Sequence, residues 1–389
     1  MPEFHSRFEK IDRRVPIDEH NCAVQFDVTK CKNCTLCRRA CADTQTVLDY
    51  YSLSSTGDMP ICVHCGQCSS ACPFGAIVEV NDVDKVKAAL KDPEKIVIFQ
   101  TAPAVRVGLG EAFGMDPGTF VEGKMVAALR TLGADYVFDT DFGADLTIME
   151  EATELLHRLQ SEEIPIPQFT SCCPAWVEFA ETFYPDLLQH LSSTKSPISI
   201  LSPVIKTYFA QQKNIDPKKI VNVCVTPCTA KKAEIRRPEL SAAGLFWDEP
   251  EIRDTDICIT TRELAQWIQD ENIDFANLED GQFDKAFGEA SGGGRIFGNS
   301  GGVMEAAIRT AYHMFTGRPT PKDFIPFEPV RGLQGVKKAT VIFGHFVLHV
   351  AAISGLGNAR AFIDDLIKND SFEDYSFIEV MACPGGCIG

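Results

Sequence analysis

Residues 31–41 read CKNCTLCRRAC and residues 62–73 read CVHCGQCSSACP, so one cysteine spacing occurs twice. In each block three cysteines are separated by two residues, and a fourth follows after three more. Three thiolates at this spacing can wrap one face of a [4Fe-4S] cube, while the fourth crosses to a neighbouring cube. The spacing therefore assigns the eight cysteines to two cubes, one held by Cys31, Cys34, Cys37 and Cys72 and the other by Cys62, Cys65, Cys68 and Cys41.

The alternative ligand for these cysteines is zinc, or a structural cluster that carries no electrons. Eight ligands in a doubled spacing are far more specific than one CxxC pair, and they are typical of bacterial ferredoxins. One departure is that Ala42 follows Cys41, whereas Pro73 follows Cys72. This change affects a turn and removes no ligand. We predict a ferredoxin-like domain with two [4Fe-4S] clusters that passes single electrons.

Size and composition exclude several classes of protein. The chain has 389 residues, 45% of them hydrophobic, which is enough for two or three domains with a sizeable core. Sixteen cysteines at tight spacings in so long a chain favour metal ligation over a disulfide framework. A formal charge of −17 argues against nucleic acid as a partner.

Targeting signals are also missing from the sequence. No apolar run reaches the roughly 20 residues of a membrane helix. The first 20 residues lack the apolar stretch of an export signal, so we expect a soluble, cytoplasmic protein. Residues 1–41 contain eight Lys/Arg and six Asp/Glu, a net charge of +2, so this end would repel an acidic electron carrier least.

The sequence pattern changes near Asn81, from a cysteine-rich and turn-rich region to helix-like segments and short apolar runs. We predict an N-terminal extension at 1–21, the ferredoxin-like domain at 22–80 and a larger domain at 81–389. In the larger domain helix-like segments alternate with short apolar runs, which predicts an α/β fold with sheets covered by helices. The runs are KIVIFQ, ADYVFDT, IPQFT, IVNVCVT, DICIT, ATVIFGHFVLHV and FIEVMA.

The later cysteines come just after predicted strands. Cys172 and Cys173 follow IPQFT, Cys228 follows IVNVCVT, and Cys383 follows FIEVMA. Ligands bind at the carboxyl ends of strands in α/β sheets, so these remote residues could converge. Together with Cys387 they could close a third cube through Cys173, Cys228, Cys383 and Cys387. Cys172 is then left over beside it.

The segments that hold these cysteines are TSCCPAW from Thr170, TPCTAKKAE from Thr226 and EVMACPGGC from Glu379. They resemble the three signature motifs of the iron-only (FeFe) hydrogenases, in the same order. The resemblance implies a two-lobed α/β domain with the active-site cluster between the lobes. It also implies an H-cluster, in which Cys387 bridges the cube to a two-iron centre with carbon monoxide, cyanide and an azadithiolate.

The resemblance assigns further residues. Cys172 would be the proton donor and acceptor beside the two-iron centre, the alternative being a buried, inert cysteine. Lys231 would hydrogen-bond an iron-bound cyanide, and Pro103 and Met381 would contact the cofactor. Four positions depart from the family pattern around this site and should alter redox potential, catalytic bias and oxygen tolerance: Ala104, Ala175, Ile198 and Thr226.

A proton route is implied in the segment DLTIMEEATELLHRLQ from Asp145. Its helical period places Glu151, Glu154 and Arg158 on one face, which on sequence alone is more often a solvated face with a Glu154–Arg158 pair. The resemblance adds Ser192 and implies the order Cys172, Glu151, Ser192, Glu154, with Arg158 at the exit.

Several features have simpler interpretations. The glycine-rich stretches lack dinucleotide and phosphate-loop spacings, so we expect no nucleotide site. Cys22, Cys224 and Cys258 are expected to be buried small apolar residues. The chain stops two residues after Cys387, so we expect either a fragment or a separate small subunit that supplies the tail.

The resemblance implies an oxidoreductase that interconverts dihydrogen with protons and electrons. The expected partners are a ferredoxin-like one-electron carrier and the maturation proteins that build the two-iron centre. Two alternatives remain: a hydrogen-sensing regulatory protein on the same scaffold, and a hydrogenase-like iron-sulfur assembly protein without hydrogen turnover. A sensor usually carries an added signalling domain, and assembly proteins generally lack the doubled cysteine block.

Overall fold

The computed structural model describes residues 13–161, 164–322, 324–330 and 334–388. Most of the predicted N-terminal extension lies outside these residues. Around the two cysteine blocks regular structure is sparse, and a small core forms around Val24, Leu48 and Ile77. The elements are β1 (Val24–Phe26), α1 (Leu36–Arg39), α2 (Gln67–Ser70) and β2 (Ile77–Glu79), with a π-helix at Ala40–Thr44 and a 3₁₀ turn at Leu53–Thr56. β1 and β2 pair antiparallel.

The first large sheet has four strands in the spatial order β4-β3-β6-β7, all parallel. Its strands are β3 (Ile96–Thr101), β4 (Tyr136–Asp139), β6 (Ile220–Thr226) and β7 (Ile257–Thr260). Parallel strands require crossover helices and are buried on both faces. β6 agrees, since six of its seven residues are buried.

The second sheet is mixed, with the spatial order β5-β11-β10-β9-β8. Its strands are β5 (Gln168–Phe169), β8 (Glu328–Pro329), β9 (Val336–Phe343), β10 (Phe346–Ser354) and β11 (Phe377–Met381). The run ATVIFGHFVLHV is not one strand, because it forms an antiparallel β9–β10 hairpin. The chain reverses at Gly344, where φ is +60°. β5, β11 and β10 are mutually parallel, so their carboxyl ends share one edge.

Helices cover both sheets, which confirms the predicted α/β fold. They are α3 (Val83–Lys91), α4 (Val105–Gly108), α5 (Glu122–Thr131), α6 (Thr140–Gln160), α7 (Pro174–Phe183), α8 (Pro197–Val204), α9 (Ala210–Lys213), α10 (Lys231–Glu234), α11 (Ala242–Trp247), α12 (Thr261–Asp270), α13 (Gly292–Arg295), α14 (Gly302–Thr316) and α15 (Leu356–Lys368). A π-helix at Ile205–Phe209 joins α8 to α9, and the 3₁₀ turns are Leu109–Phe113, Pro185–His190, Pro217–Lys219, Phe275–Asn277, Ile296–Gly298 and Phe372–Asp374.

The long helix α6 matters most for the site. Ala152 and Leu155 on its inner face pack into one apolar cluster with Met304 of α14. On another face, a side chain at Gly143 would meet the Pro197 carbonyl oxygen at 2.3 Å, so glycine allows α8 to pack closely. α6 therefore packs against α14 on one face and against α8 on another, and this packing fixes the direction in which its polar side chains point. Within the part of the chain that the structure describes, no helix is long and apolar enough to cross a membrane.

Candidate active site

The cysteines that follow strands of the two large sheets line one cavity. β5 and β11 are parallel neighbours, and the residues after them touch, because the Ala382 amide donates to Cys173 Sγ at 3.4 Å. Cys228 comes from the other sheet, after β6. The sheets are joined directly here, since Lys231 Nζ donates to the main-chain oxygen of Cys172 at 3.1 Å.

The four predicted ligands of the third cube line one cavity of about 90 Å³, together with Cys172. Pro103 and Met381 lie in its wall, as does Lys231. The four positions that depart from the family pattern also line it: Ala104, Ala175, Ile198 and Thr226. The cavity thus combines thiols, one buried cation and otherwise mainly apolar walls.

The chemistry of this donor set fits a cluster better than a single ion. All sixteen cysteines lie in the described residues, and none forms a disulfide. Among the residues that the structure describes, no three His, Cys, Asp or Glu side chains come close enough to share one metal ion. A zinc ion would need its thiolates about 2.3 Å from one centre. Thiols that surround a common space but stand apart suit separate irons of a cube.

The two cysteine blocks fold in the same way. Positive φ angles occur two residues after the first cysteine of each block, at Asn33 (52°) and His64 (56°). They recur one residue after the second cysteine, at Thr35 (72°) and Gly66 (72°). This turn points main-chain N–H groups at sulfur. Two hydrogen bonds of this turn are Asn33 to Cys31 (3.4 Å) and His64 to Cys62 (3.4 Å), and outside the turn the Ala76 amide donates to Cys72 at 3.3 Å.

Beyond Cys172, the residues of the implied proton route lie on α6 and in the loop that contains Ser192. Glu151 on α6 is fully buried, and its two carboxylate oxygens have no hydrogen-bond partner among the described residues. Burial raises the pKa of Glu151 to about 8, and the carboxylates of Glu154 and Glu379 add to the shift. The Ser171 amide lowers this pKa slightly but falls short of hydrogen-bond geometry. Cys172 is 7% exposed.

The outer part of the route is a connected hydrogen-bond chain. Ser192 Oγ donates to Glu154 Oε2 at 2.8 Å, and Arg158 donates to Glu154 Oε1 at 2.7 Å. The resemblance implies that Arg158 lies at the exit of the route, and in the structure this residue is only 4% exposed. Its guanidinium also donates to the carbonyls of Pro165 and Leu191, and these bonds fix it inside the protein. The Ser193 side chain, which donates to the same Glu154 carboxylate, is at the exposed end.

Two carboxylates of the site, those of Glu379 and Glu234, were not predicted from the sequence. Glu379 on β11 is fully buried and accepts hydrogen bonds from the amides of Gly301 (2.6 Å) and Met304 (2.9 Å), at the start of α14. Burial raises its pKa to about 7. Glu234 forms a buried ion pair of 2.7 Å with Lys231. The signals were present, namely a charge inside the apolar run FIEVM and a carboxylate three residues after the lysine.

The three cysteines without a predicted role, Cys22, Cys224 and Cys258, differ in burial. Cys224 and Cys258 lie opposite each other on β6 and β7 and are buried, as predicted. Cys22 was also predicted to be buried, and this is wrong, because its side chain is partly exposed. It lies two residues before β1 and interacts with His64, which lowers the pKa of its thiol against the effect of burial.

The whole arrangement has a counterpart among known families. Residues 95–389 match the family model described as the iron only hydrogenase large subunit, C-terminal domain. This is well over half of the chain. The chain belongs to the iron-only hydrogenase family. Residues 58–78 also match a 4Fe-4S binding domain, which contains the second cysteine block.

Individual hydrogenases are similar over nearly the whole chain. The NADP-reducing hydrogenase subunit HndD of Solidesulfovibrio fructosivorans is 47% identical, over 93% of this chain and 63% of its own length. Iron hydrogenase 1 of Clostridium pasteurianum is 45% identical, over 97% of this chain and 66% of its own length. The chain thus spans slightly less than two thirds of these two relatives. The solved structure of an apo [FeFe]-hydrogenase HydA1 variant from Chlamydomonas reinhardtii superposes with a TM-score of 0.70 at 40% identity, over 80% of this chain and 84% of that one.

Proposed function

We propose that this protein catalyses the reversible heterolytic conversion of dihydrogen, H2 ⇌ 2H+ + 2e−. The observation that carries the proposal is the convergence of Cys173, Cys228, Cys383 and Cys387 on one cavity that also receives the thiol of Cys172. Four of these thiols are ligands for a cube, and the fifth remains for protons. Membership of the iron-only hydrogenase family supports this division of roles.

The four cysteines would hold the cube of an H-cluster, and Cys387 would also hold its two-iron part. When bound, the two-iron centre supplies the place where dihydrogen is bound and split. Lys231 fits beside it, because its ammonium lines the cavity and is held by Glu234 and by the Cys172 carbonyl. A fixed cation of this kind stabilises an anionic ligand such as cyanide.

Protons move between Cys172 and solvent over residues of α6 and the loop after His190. The Cys172 thiol holds the proton at the cavity, and Glu151 is the next titratable group. Because the Glu151 carboxyl has no fixed hydrogen-bond partner among the described residues, it is free to exchange a proton with either side. Ser192 and Glu154 then form the outer segment, and Arg158 holds Glu154 in place rather than forming the exit.

Electrons travel through the ferredoxin-like domain, residues 22–80. Cys65 belongs to the second cysteine block, which we call the inner block, and lines the active-site cavity together with Cys228 and Cys383. The first cysteine block, residues 31–41, is the outer block, and its Cys34 is exposed at the surface. Residues 27–41 contain four cations and one carboxylate in a chain of charge −17: Lys30, Lys32, Arg38 and Arg39 against Asp27. This basic patch fits an acidic one-electron carrier of the ferredoxin kind.

The two rival functions predict different combinations of features. An assembly protein needs cube ligands but not a thiol and a buried carboxyl beside the cavity. A sensor needs the cavity but gains nothing from an outer segment that leads protons to the surface. Here Cys172, Glu151 and the Ser192–Glu154 pair are all in place. The geometry therefore supports turnover best.

The direct test is hydrogen evolution from reduced viologen by anaerobically matured protein and by its Cys172→Ala variant. We expect turnover in the first and a loss of at least about 100-fold in the second, with the clusters retained, because Cys172 handles the proton. Cys258→Ala is the matched control, since this thiol is also buried and outside the ligand set, and it should keep full activity. Equal activity in wild type and Cys172→Ala would refute the proposed role.

A further inference from the structure

The inner cysteine loop, residues 62–68, is attached to the hydrogenase domain at three points. His64 Nδ1 lies 2.7 Å from Glu178 Oε2, in the helix that follows Cys173. The Thr229 hydroxyl, next to Cys228, donates to the His64 carbonyl at 2.6 Å. Gln67 Nε2 donates to the sulfur of Cys383 itself at 3.4 Å. Each contact therefore reaches a segment that carries a proposed active-site ligand.

Backbone geometry makes this attachment close and rigid. Gly66 has φ +72°, and a Cβ there would lie 2.5 Å from Thr229 Oγ1. Only glycine allows this approach at that conformation. The short helix α2 begins with the next residue, Gln67. The backbone that carries Gln67 is thus held close to the segment after Cys228, and from this position its side-chain amide reaches Cys383.

We propose that Gln67 is a positioning residue that raises the reduction potential of the active-site cube and couples it to the inner accessory cube. This inference rests on the proposed function, since it requires a cube at Cys383. Gln67 lies two residues after Cys65 and one before Cys68, which are both predicted ligands of the inner cube. One side chain therefore spans the space between the two clusters.

The direction of the effect follows from charge. Reduction places more negative charge on the cysteine sulfurs of a cube. A donor N–H stabilises that charge, so it favours the reduced form and raises the potential. The Ala382 amide acts on Cys173 in the same way but belongs to the main chain. Gln67 contributes through a side chain, so its effect can be removed by substitution.

The experiment is a redox titration of the matured holoprotein, with the active-site cube followed by electron paramagnetic resonance and infrared spectroscopy. We expect a more negative midpoint potential in Gln67→Leu, which removes the donor, and a larger shift in Gln67→Glu, which adds negative charge. The control is Gln25→Leu, because this exposed glutamine of the same region donates to the Glu79 carbonyl, away from the sulfur of Cys383. Its potential should equal that of wild type.

An unchanged midpoint potential in Gln67→Leu would overturn the inference. Iron content and the signals of the accessory cubes identify a variant that has not assembled, in which case Gln67→Met, also without a donor, takes its place in the titration. Failure of the proposed function has a different signature, because wild-type protein would then lack iron-bound carbon monoxide and cyanide bands. A wild type that has these bands and a variant with the same potential would refute the role of Gln67 alone.

Discussion

Ser192 Oγ donates a 2.8 Å hydrogen bond to Glu154 Oε2, although the two residues are 38 positions apart, one in a loop and the other on α6. The same carboxylate is held from the other side by Arg158. Glu154 is therefore fixed at the junction between the buried Glu151 and the exposed Ser193. This relationship makes Glu154 the residue through which protons must pass in the proposed route.

Glu154→Gln should lower hydrogen evolution by about 100-fold, since a relay group that can no longer ionise removes a proton-transfer step. The amide keeps the size of the side chain and the hydrogen bond with Ser192. Glu150→Gln is the matched control, because Glu150 is on the same helix, is exposed, and should retain wild-type rates. Similar rates for both variants would show that protons take another path.

The buried Glu151 should make stability fall as pH rises. Its pKa is raised to about 8 in the folded protein, from an ordinary value of 4.5, so the folded state retains a proton that the unfolded state loses. The free energy of unfolding should therefore decrease between about pH 4.5 and pH 8. Glu151→Gln removes this contribution. The difference in thermal midpoint between pH 6 and pH 8, measured anaerobically, should be smaller in the variant than in wild type.

Glu379 contributes in the same direction, with a pKa of about 7, so the variant should keep part of the pH dependence. Glu150→Gln again serves as the control. If Glu151→Gln and wild type lose stability equally over this range, the Glu151 carboxyl is ionised in the folded protein and its proposed place in the relay is wrong.

The basic patch should govern reactions with a protein carrier but not with a small dye. Reversing two exposed charges, Lys32→Glu and Arg39→Glu, should raise the KM for a reduced acidic ferredoxin and weaken its dependence on ionic strength. Turnover with reduced viologen should not change. Lys213→Glu reverses an exposed charge elsewhere and is the control. An unaltered KM for ferredoxin in the double variant would place the docking surface elsewhere.

Gly66→Ala tests how closely the inner cysteine loop is attached. A side chain at positive φ costs roughly 1–2 kcal/mol, and overpacking adds about 1–3 kcal/mol. Gly57→Ala separates these two costs, because Gly57 has φ +65° but no atom within 4 Å of the point that a Cβ would occupy. Gly66→Ala should lower the thermal midpoint more than Gly57→Ala does. Equal losses would mean that the contact with Thr229 gives way without cost.

Local patterns accounted for much of this protein. The cysteine spacing predicted the two cluster-binding blocks, because three of the four ligands of each cube lie within seven residues of one another in sequence. The positions of Cys173, Cys228 and Cys383 just after predicted strands indicated a common site. What sequence could not supply depends on tertiary placement. Arg158 has the periodicity of a surface residue, yet carbonyls from Pro165 and Leu191 reach it only in the folded chain. Likewise, nothing near Gln67 in sequence indicates its contact with Cys383, 316 residues away.

The decisive measurement for hydrogen turnover at this site is the infrared spectrum of anaerobically matured protein, in the region where iron-bound carbon monoxide and cyanide absorb and protein groups scarcely do. We predict sharp bands in this region that shift when dihydrogen is admitted, because the proposed function places a two-iron centre in the cavity beside Cys172. A featureless spectrum from protein whose three cubes are fully assembled would contradict the proposed function.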